Sequence, residues 1–158
     1  MTTLQIVKPT VEDAPGIARL IEHYARRRFM LSRSVGQVCE SLRDFHIHRE
    51  DGDVVACAAL HLWSDLAEIR SLAVRESHWR RGLGSALVRR CIEEARALGV
   101  KTVFALTYQP EFFERLGFRR VSKERFPQKI WVDCAQCPQF PNCGEVALIY
   151  EVDAAASD

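Results

Sequence analysis

The segment Trp79–Ser85 constrains the fold of this chain most strongly, because it joins a strand-like pattern to a helical one through a glycine turn. The apolar run Ile69–Val74 precedes it, and a helical pattern that begins near Gly84 follows it. Such a junction directs successive backbone N–H groups outward at a helix N-terminus, where the helix dipole favours negative charge. The sequence therefore predicts an anion-binding turn between a strand and a helix.

The residues of this turn favour a phosphate as the anion. Gly82 and Gly84 let the main chain approach a phosphate closely, where a side chain would block it. Arg80 and Arg81 add positive charge immediately before them. Because the whole chain carries a net charge of only +1, anion binding is expected from local arginine clusters rather than from a generally basic surface.

Length and composition indicate a single domain. With 158 residues, 47% of them hydrophobic, the chain can bury one substantial core, predicted over 1–153 with a loose tail at 154–158. The near-neutral charge argues against nucleic-acid or membrane-surface binding. No apolar run approaches the ~20 residues that span a bilayer, and no signal peptide is evident. We therefore expect a cytoplasmic protein, and a homodimer is compatible with the sequence.

Alternating and helical patterns predict a mixed α/β fold with a mostly antiparallel, twisted sheet flanked by helices. Asp51-Gly52 is a hairpin signal, Thr10 with Asp13 and Ser34 are cap signals, and Gly99 is a C-cap signal. The predicted strands are Gln5–Lys8, Phe45–Arg49, Val54–Trp63, Leu66–Val74, Val100–Thr107, Phe118–Val121 and Val146–Val152. The predicted helices are one around Ile17–Tyr24 that extends through Arg28, one with Val35, Val38, Cys39 and Leu42 on its apolar face, Gly84–Leu98, and Glu111–Leu116.

The glycine turn resembles the acetyl-CoA-binding motif of the GNAT family of N-acetyltransferases, Q/R-x-x-G-x-G/A, although Trp79 stands at its first position. The strand end Leu72–Val74 and the segment Phe112–Phe118 extend the resemblance over most of the chain. It implies the GNAT fold, with acetyl-CoA as cosubstrate, and an oxyanion stabilised by a backbone N–H near Leu72 or Val74. It implies a pantetheine arm bonded by the main chain of Leu72, Ala73 and Val74, and a pyrophosphate held by Arg80, Arg81, Gly82, Leu83, Gly84 and Ser85.

Three further segments resemble the short, single-domain branch of the N-acetylglutamate synthases. The first is Tyr24-Ala25 with Met30–Ser34, the second is Asp65–Val74, and the third is Pro127–Trp131 with the cysteines behind it. Leu106-Thr107-Tyr108 adds to these three. The resemblance implies an amino-acid N-acetyltransferase that converts glutamate and acetyl-CoA to N-acetylglutamate, the first step of arginine synthesis. Another amino acid, amine or peptide N-terminus as acceptor stays an alternative, as does a non-catalytic CoA-binding regulator.

Glutamate carries two carboxylates, so its site needs fixed cations or backbone donors, and arginine suits planar carboxylate capture. Arg33, Arg70 and Lys129 stand in or beside apolar or irregular sequence, where a pocket can recruit them. The resemblance implies that Leu31 and Ser71 add backbone N–H groups. The alternatives are that Arg33 caps its turn and that Lys129 is simply solvated.

Acetyl transfer requires a base, because an α-amino group is largely protonated at neutral pH. The resemblance implies that Glu68 is this base, with an ion pair to Arg70 as the alternative. In a regular strand, Glu68, Arg70, Leu72 and Val74 share one face. The general acid is open: Phe113 stands where many family members have a tyrosine, and Thr107 and Tyr108 are the remaining candidates.

Cysteines form two groups. Cys39, Cys57 and Cys91 lie in apolar patterns and are predicted to be buried, reduced and structural. Cys134, Cys137 and Cys143 have the first spacing of a zinc knuckle, but a structural zinc site needs four ligands and no fourth follows. A metal is therefore left open but not favoured over packed thiols or a labile disulfide.

Overall fold

The computed structural model describes residues 5–27, 30–126 and 145–152, and the predicted tail lies outside these ranges. Within them, one six-stranded sheet has the order β1-β2-β3-β4-β6-β5, antiparallel throughout except between β3 and β4. The predicted mixed, mostly antiparallel sheet is thereby confirmed. The strands are β1 Phe45–Glu50, β2 Asp53–Trp63, β3 Leu66–Val74, β4 Thr102–Thr107, β5 Arg119–Val121 and β6 Val146–Glu151. The helices are α1 Ala14–Ala25, α2 Val35–Glu40, α3 Leu83–Ala97 and α4 Pro110–Arg115.

Local sequence signals set most element boundaries. Asp51 and Gly52 both have positive φ, 53° and 82°. A two-residue hairpin turn needs these values for its twist to match that of the flanking strands. The Thr10 backbone N–H donates to Asp13 Oδ2 at 2.8 Å before α1, and the Gln37 N–H donates to Ser34 Oγ at 3.1 Å at the start of α2. The predicted hairpin and both predicted caps are confirmed.

Three predictions about the N-terminal third are wrong. The expected strand Gln5–Lys8 is a single bridge between Val7 and Ile47, and α1 ends at Ala25, before the arginine run. Helix α2 has only six residues. A 3-10 turn follows it, so the helical period does not continue to Leu42. Within α2 Val38 is buried whereas Val35 and Cys39 are exposed, so the predicted burial of Cys39 is also wrong.

The sheet separates two apolar layers. On the face that we call the α3 face, Leu87 and Val88 of α3 pack with Val103 and Leu148 of the sheet. On the α1 face, residues of α1, including Ile17 at 0% exposure, pack with the opposite side of β1 and β2. Burial of each such aliphatic side chain contributes about 1.5–3 kcal/mol. The face of the sheet on which a strand residue lies decides whether its side chain packs against α1 or against α3.

A β-bulge in β3 changes which residues share a face. Cys57 lies opposite Ala73, and Ala59 lies opposite Arg70, so two residues of β3, Ser71 and Leu72, oppose the single residue between them on β2. Ser71 has a φ of 56°, in the left-handed region. An extra residue inverts the alternation of a strand beyond it.

The prediction that Glu68, Arg70, Leu72 and Val74 share one face is therefore wrong. Glu68 and Arg70 lie on the α1 face, since Arg70 is directly opposite Ala59 of that layer. Leu72 and Val74 pack against the core of the α3 face instead. The physical reason is the bulge, because a regular period of two does not continue through it.

Strands β3 and β4 are paired only at their N-terminal ends. Their register runs from Leu66 and Thr102 to Glu68 and Phe104, and both strands continue beyond the last pair. Beyond it β4 remains paired with β6 up to Thr107, while β3 remains paired with β2. The two halves of the sheet consequently diverge, and we call the gap between Ile69–Val74 and Ala105–Thr107 the β3–β4 opening.

Candidate active site

The edge of β3 presents main-chain groups to the β3–β4 opening. Arg75 donates its N–H to the Val55 carbonyl at 2.8 Å, and Val74 lies opposite Ala56 in the same register. Since hydrogen-bonded pairs alternate in an antiparallel ladder, the N–H and C=O of Val74 point away from β2. They are therefore directed into the opening, as a ligand-binding strand edge requires.

The Val74 carbonyl already has two donors. The Trp79 indole Nε1–H donates to it at 2.7 Å, and the Tyr24 hydroxyl donates to it from α1. Burial raises the pKa of the Tyr24 phenol, which stays protonated and keeps this donation at neutral pH. The end of β3 is thus held by side chains from the glycine turn and from α1, while the Val74 N–H still points into the opening.

The glycine turn has the geometry of an anion site. Arg80 and Gly82 take left-handed conformations, with φ of 66° and 79°, and Gly82 is the residue before α3. Ala86 donates to the Gly82 carbonyl at 3.0 Å, so the N–H groups of the residues between them have no acceptor within the helix. With Leu83 buried at 2% exposure, the turn is anchored and these N–H groups are presented at the positive end of α3.

Acidic and basic groups surround the turn. Arg81 Nη1 lies 3.7 Å from Glu50 Oε2, and His78 Nε2 lies 3.0 Å from the other carboxylate oxygen, Glu50 Oε1. The His78 imidazole lowers the pKa of Glu50, and Arg81 adds to this effect. Glu50 therefore remains a carboxylate and holds Arg81 beside the turn.

Replacing Gly82 by alanine is expected to lower the free energy of unfolding by about 1–2 kcal/mol, because the left-handed conformation brings Cβ close to a carbonyl oxygen. The affinity of the turn for phosphate-containing ligands is expected to fall with it. The measurements are urea unfolding and calorimetric titration with CoA. Gly36→Ala is the matched control, since Gly36 lies inside α2 at ordinary φ and a Cβ there meets nothing closer than Ser34 Oγ at 3.9 Å. Equal effects of both substitutions would contradict the prediction.

On the α1 face, Glu68 and Arg70 meet an aromatic side chain that the sequence analysis missed. The Trp63 indole N–H donates to Glu68 Oε1 at 3.0 Å, and the Arg70 guanidinium carbon lies 5.8 Å from the centre of the Trp63 ring. The hairpin between β2 and β3 places Trp63 diagonally across from Glu68. The pairing of these two strands is therefore the feature from which the contact can be predicted.

The segment predicted to hold the acceptor reaches this same face. Met30 packs against the α1-face core, and Ser32 Oγ donates to Glu22 Oε2 of α1 at 2.5 Å. Leu31 and Arg33 follow on the chain and are half-buried. Ser71 occupies the bulge between the two layers. The structure therefore places the Leu31–Arg33 segment, Glu68 and Arg70 on one side of the sheet; Lys129 lies outside the described residues.

Candidates for the general acid lie at the other edge of the opening. Thr107 ends β4, and its Oγ1 accepts the Gln109 N–H at 2.9 Å, which stabilises the turn into α4. Tyr108 follows directly. Phe113 is 4% exposed in the α3-face core, with its ring centre 5.1 Å from that of Phe118.

The described cysteines do not form a cluster. Burial raises the pKa of the Cys57 and Cys91 thiols to about 12, so both are protonated at neutral pH. Among the residues that the structure describes, no group of three or more His, Cys, Asp or Glu side chains is suited to a metal. Cys134, Cys137 and Cys143 lie outside that part of the chain.

The family is decided by a match between residues 17–118 and the model of the acetyltransferase (GNAT) family. The chain belongs to this family. The matched range runs from α1 through the glycine turn to the end of the aromatic segment, so the predicted family and fold of this GNAT acetyltransferase are confirmed. In the described ranges, none of its helices is both long and apolar enough to cross a bilayer.

Individual relatives of this GNAT acetyltransferase include amino-acid acetyltransferases. An uncharacterized N-acetyltransferase of Chlorobaculum tepidum is 43% identical over 138 residues, which cover 87% of this chain and 89% of the relative. An amino-acid acetyltransferase of Mycobacterium tuberculosis is 39% identical over 113 residues, covering 69% and 64%. The structure of an N-acetylglutamate synthase from Neisseria gonorrhoeae, complexed with coenzyme A and N-acetyl-glutamate, superimposes with a TM-score of 0.86 at 27% identity. It matches 96% of this chain but only 36% of the synthase.

Proposed function

We propose that this protein transfers the acetyl group of acetyl-CoA to the α-amino group of L-glutamate, which gives N-acetylglutamate and serves arginine synthesis. The observation that carries the proposal is that Glu68 and Arg70 lie beside the β3–β4 opening on the α1 face of the sheet, the face to which Met30 and Ser32 hold the Leu31–Arg33 segment. The similarity to an N-acetylglutamate synthase complexed with coenzyme A and N-acetyl-glutamate supports both ligands.

The cosubstrate binds along the opening and the glycine turn. Leu72, Ala73 and Val74 bond the pantetheine arm through their main chain, for which the outward direction of the Val74 N–H is suited. Arg80, Arg81 and the N–H groups between Gly82 and Ser85 hold the pyrophosphate at the positive end of α3. When bound, acetyl-CoA supplies the acetyl group as a thioester.

The acceptor binds on the α1 face. Arg33, Arg70 and Lys129 provide positive charge for its two carboxylates, and the backbone N–H groups of Leu31 and Ser71 add donors. The left-handed conformation of Ser71 supports its part, because a bulge turns main-chain groups out of the regular ladder.

Glu68 accepts the proton that the ammonium group must lose, directly or through one water molecule. The free amine then attacks the thioester carbon: the N–C bond forms, the C–S bond breaks, and a backbone N–H near Leu72 or Val74 stabilises the intermediate oxyanion. The attacking nitrogen releases its second proton to solvent as the amide forms, and the CoA thiolate takes a proton from water or from Tyr108 or Thr107. Trp63, bonded to Glu68 Oε1, orients the carboxylate.

Replacing Arg33 tests the proposal that it binds a carboxylate of the acceptor glutamate. With a panel of amino acids and one short peptide, we expect turnover on glutamate, and we expect Arg33→Ala to raise the KM for glutamate about 10–100-fold, the loss expected for a hydrogen bond to a charged group. Arg26→Ala is the control, because Arg26 follows the last residue of α1 and its side chain is 77% exposed. Acetylation of the peptide, or equal rates across the panel, would refute glutamate as the acceptor.

A further inference from the structure

We propose that Trp79 binds the pantoyl segment of acetyl-CoA, the part with a quaternary carbon and two methyl groups, while its N–H fixes the end of β3. This inference rests on the proposed cosubstrate site and assigns it an additional residue. It concerns cosubstrate affinity and not the choice of acceptor.

The position of Trp79 follows from its hydrogen bond. Its indole N–H reaches back to the Val74 carbonyl at 2.7 Å, across the 3-10 turn Glu76–His78. Because that carbonyl points into the β3–β4 opening, the indole lies at the rim of the opening, between the strand edge and the glycine turn. Tyr24 donates to the same carbonyl and holds this arrangement from the α1 side.

Within the part of the chain that the structure describes, much of the indole surface is exposed to solvent. Trp79 is 52% exposed although its polar atom is hydrogen-bonded, so the exposed area belongs mainly to the apolar ring. An aromatic ring held rigidly by its N–H offers a large contact area at a low cost in conformational entropy. A ring fixed in this way at a binding rim is suited to an apolar group of the ligand.

The chemistry of CoA identifies that group. Its pantetheine amides match the main chain of β3, its pyrophosphate matches the glycine turn, and the pantoyl segment joins the two. Trp79 also joins the two, since it is the first residue of the turn and is bonded to the last residue of β3. The two methyl groups of the pantoyl segment are therefore the apolar part of CoA that lies beside Trp79.

Two substitutions of Trp79 distinguish the contribution of the indole ring to CoA binding from that of its N–H donor. Trp79→Gln keeps an N–H donor, and the motif that this turn resembles has Gln or Arg at its first position, but it removes the ring. Trp79→Phe keeps an aromatic ring and removes the donor. If the ring covers the pantoyl methyl groups, Trp79→Gln weakens CoA binding about tenfold, which corresponds to about 1.4 kcal/mol, and Trp79→Phe weakens it by only about two- to threefold.

The measurement is calorimetric titration of wild type and both variants with CoA and with 3′-phospho-ADP, which contains the diphosphate but no pantoyl group. We expect Trp79→Gln to weaken CoA alone and to leave 3′-phospho-ADP unchanged, with circular dichroism spectra that match the wild type. Equal weakening of both ligands, or a larger loss in Trp79→Phe than in Trp79→Gln, would overturn the proposal. Wild-type protein that binds CoA without acetylating glutamate would refute only the acceptor, and failure to bind CoA would refute both assignments.

Discussion

Replacing Glu68 by glutamine is expected to lower kcat for the acetylation of glutamate by about 10²–10⁴-fold, the usual contribution of a positioned general base. Glutamine has nearly the same shape, and its amide oxygen still accepts the Trp63 N–H that now reaches Glu68 Oε1 at 3.0 Å. The substitution therefore removes the proton acceptor and leaves the packing of the site in place. Steady-state kinetics with glutamate as the varied substrate measures the effect.

Two further readouts separate the loss of a base from a general disturbance. The KM for acetyl-CoA is expected to remain within about twofold, and the residual rate of Glu68→Gln is expected to increase with pH as more of the amine becomes deprotonated. Glu93→Gln is the control, because Glu93 lies on α3 with its side chain 65% exposed. A Glu68→Gln enzyme with wild-type kcat would exclude Glu68 as the base.

Truncating Phe104 to alanine is expected to lower the free energy of unfolding by about 3–5 kcal/mol, the range for large buried aromatic side chains. Phe104 is completely buried, packs against Ala147 and Ile149, and its ring centre is 4.6 Å from that of Phe126. A cavity left among these side chains closes only partly, since two of them belong to the adjacent strand β6. Urea unfolding followed by circular dichroism gives the free energy directly.

The Phe104→Ala variant also tests whether packing at Phe104 maintains the β3–β4 opening. It is the last residue of β4 that pairs with β3, directly opposite Glu68, so a cavity there loosens the point from which the strands diverge. We expect the folded fraction of Phe104→Ala to have a lower kcat as well as a lower stability. Leu98→Ala, at a 55% exposed position beside the end of α3, is the control and is expected to change the unfolding free energy by less than about 0.5 kcal/mol. A comparable loss in both variants would contradict the specific role of Phe104.

Signals that act over a few residues predicted their elements well. The Asp51-Gly52 turn, the Ser34 cap and the glycine turn before α3 depend on backbone conformations and hydrogen bonds within about four residues. Such interactions are contained in the sequence segment itself, so the segment is sufficient to predict them. The Leu66–Val74 strand and the helix behind the turn also depend on periodicity within a single segment.

Predictions that required a second segment were less successful. The strand expected at Gln5–Lys8 has suitable residues, but its backbone bridge to β1 is the single pair Val7–Ile47. Trp63 lies outside the segments that carry the family resemblance, and its contact with Glu68 exists only because β2 and β3 pair in one particular register. A single-strand pattern contains no information about the partner's register.

By itself, the sequence determined the glycine turn, the strand and helix on either side of it, and the residue types that the proposed chemistry needs. Only the tertiary structure decided which of those residues lie on the same face of the sheet. The pairing of β2 with β3 places the extra residue at Ser71, which turns Glu68 and Arg70 to the α1 face and Leu72 and Val74 to the α3 face. The reason is physical: alternation along a strand is local, whereas a bulge is defined by the strand that lies opposite it.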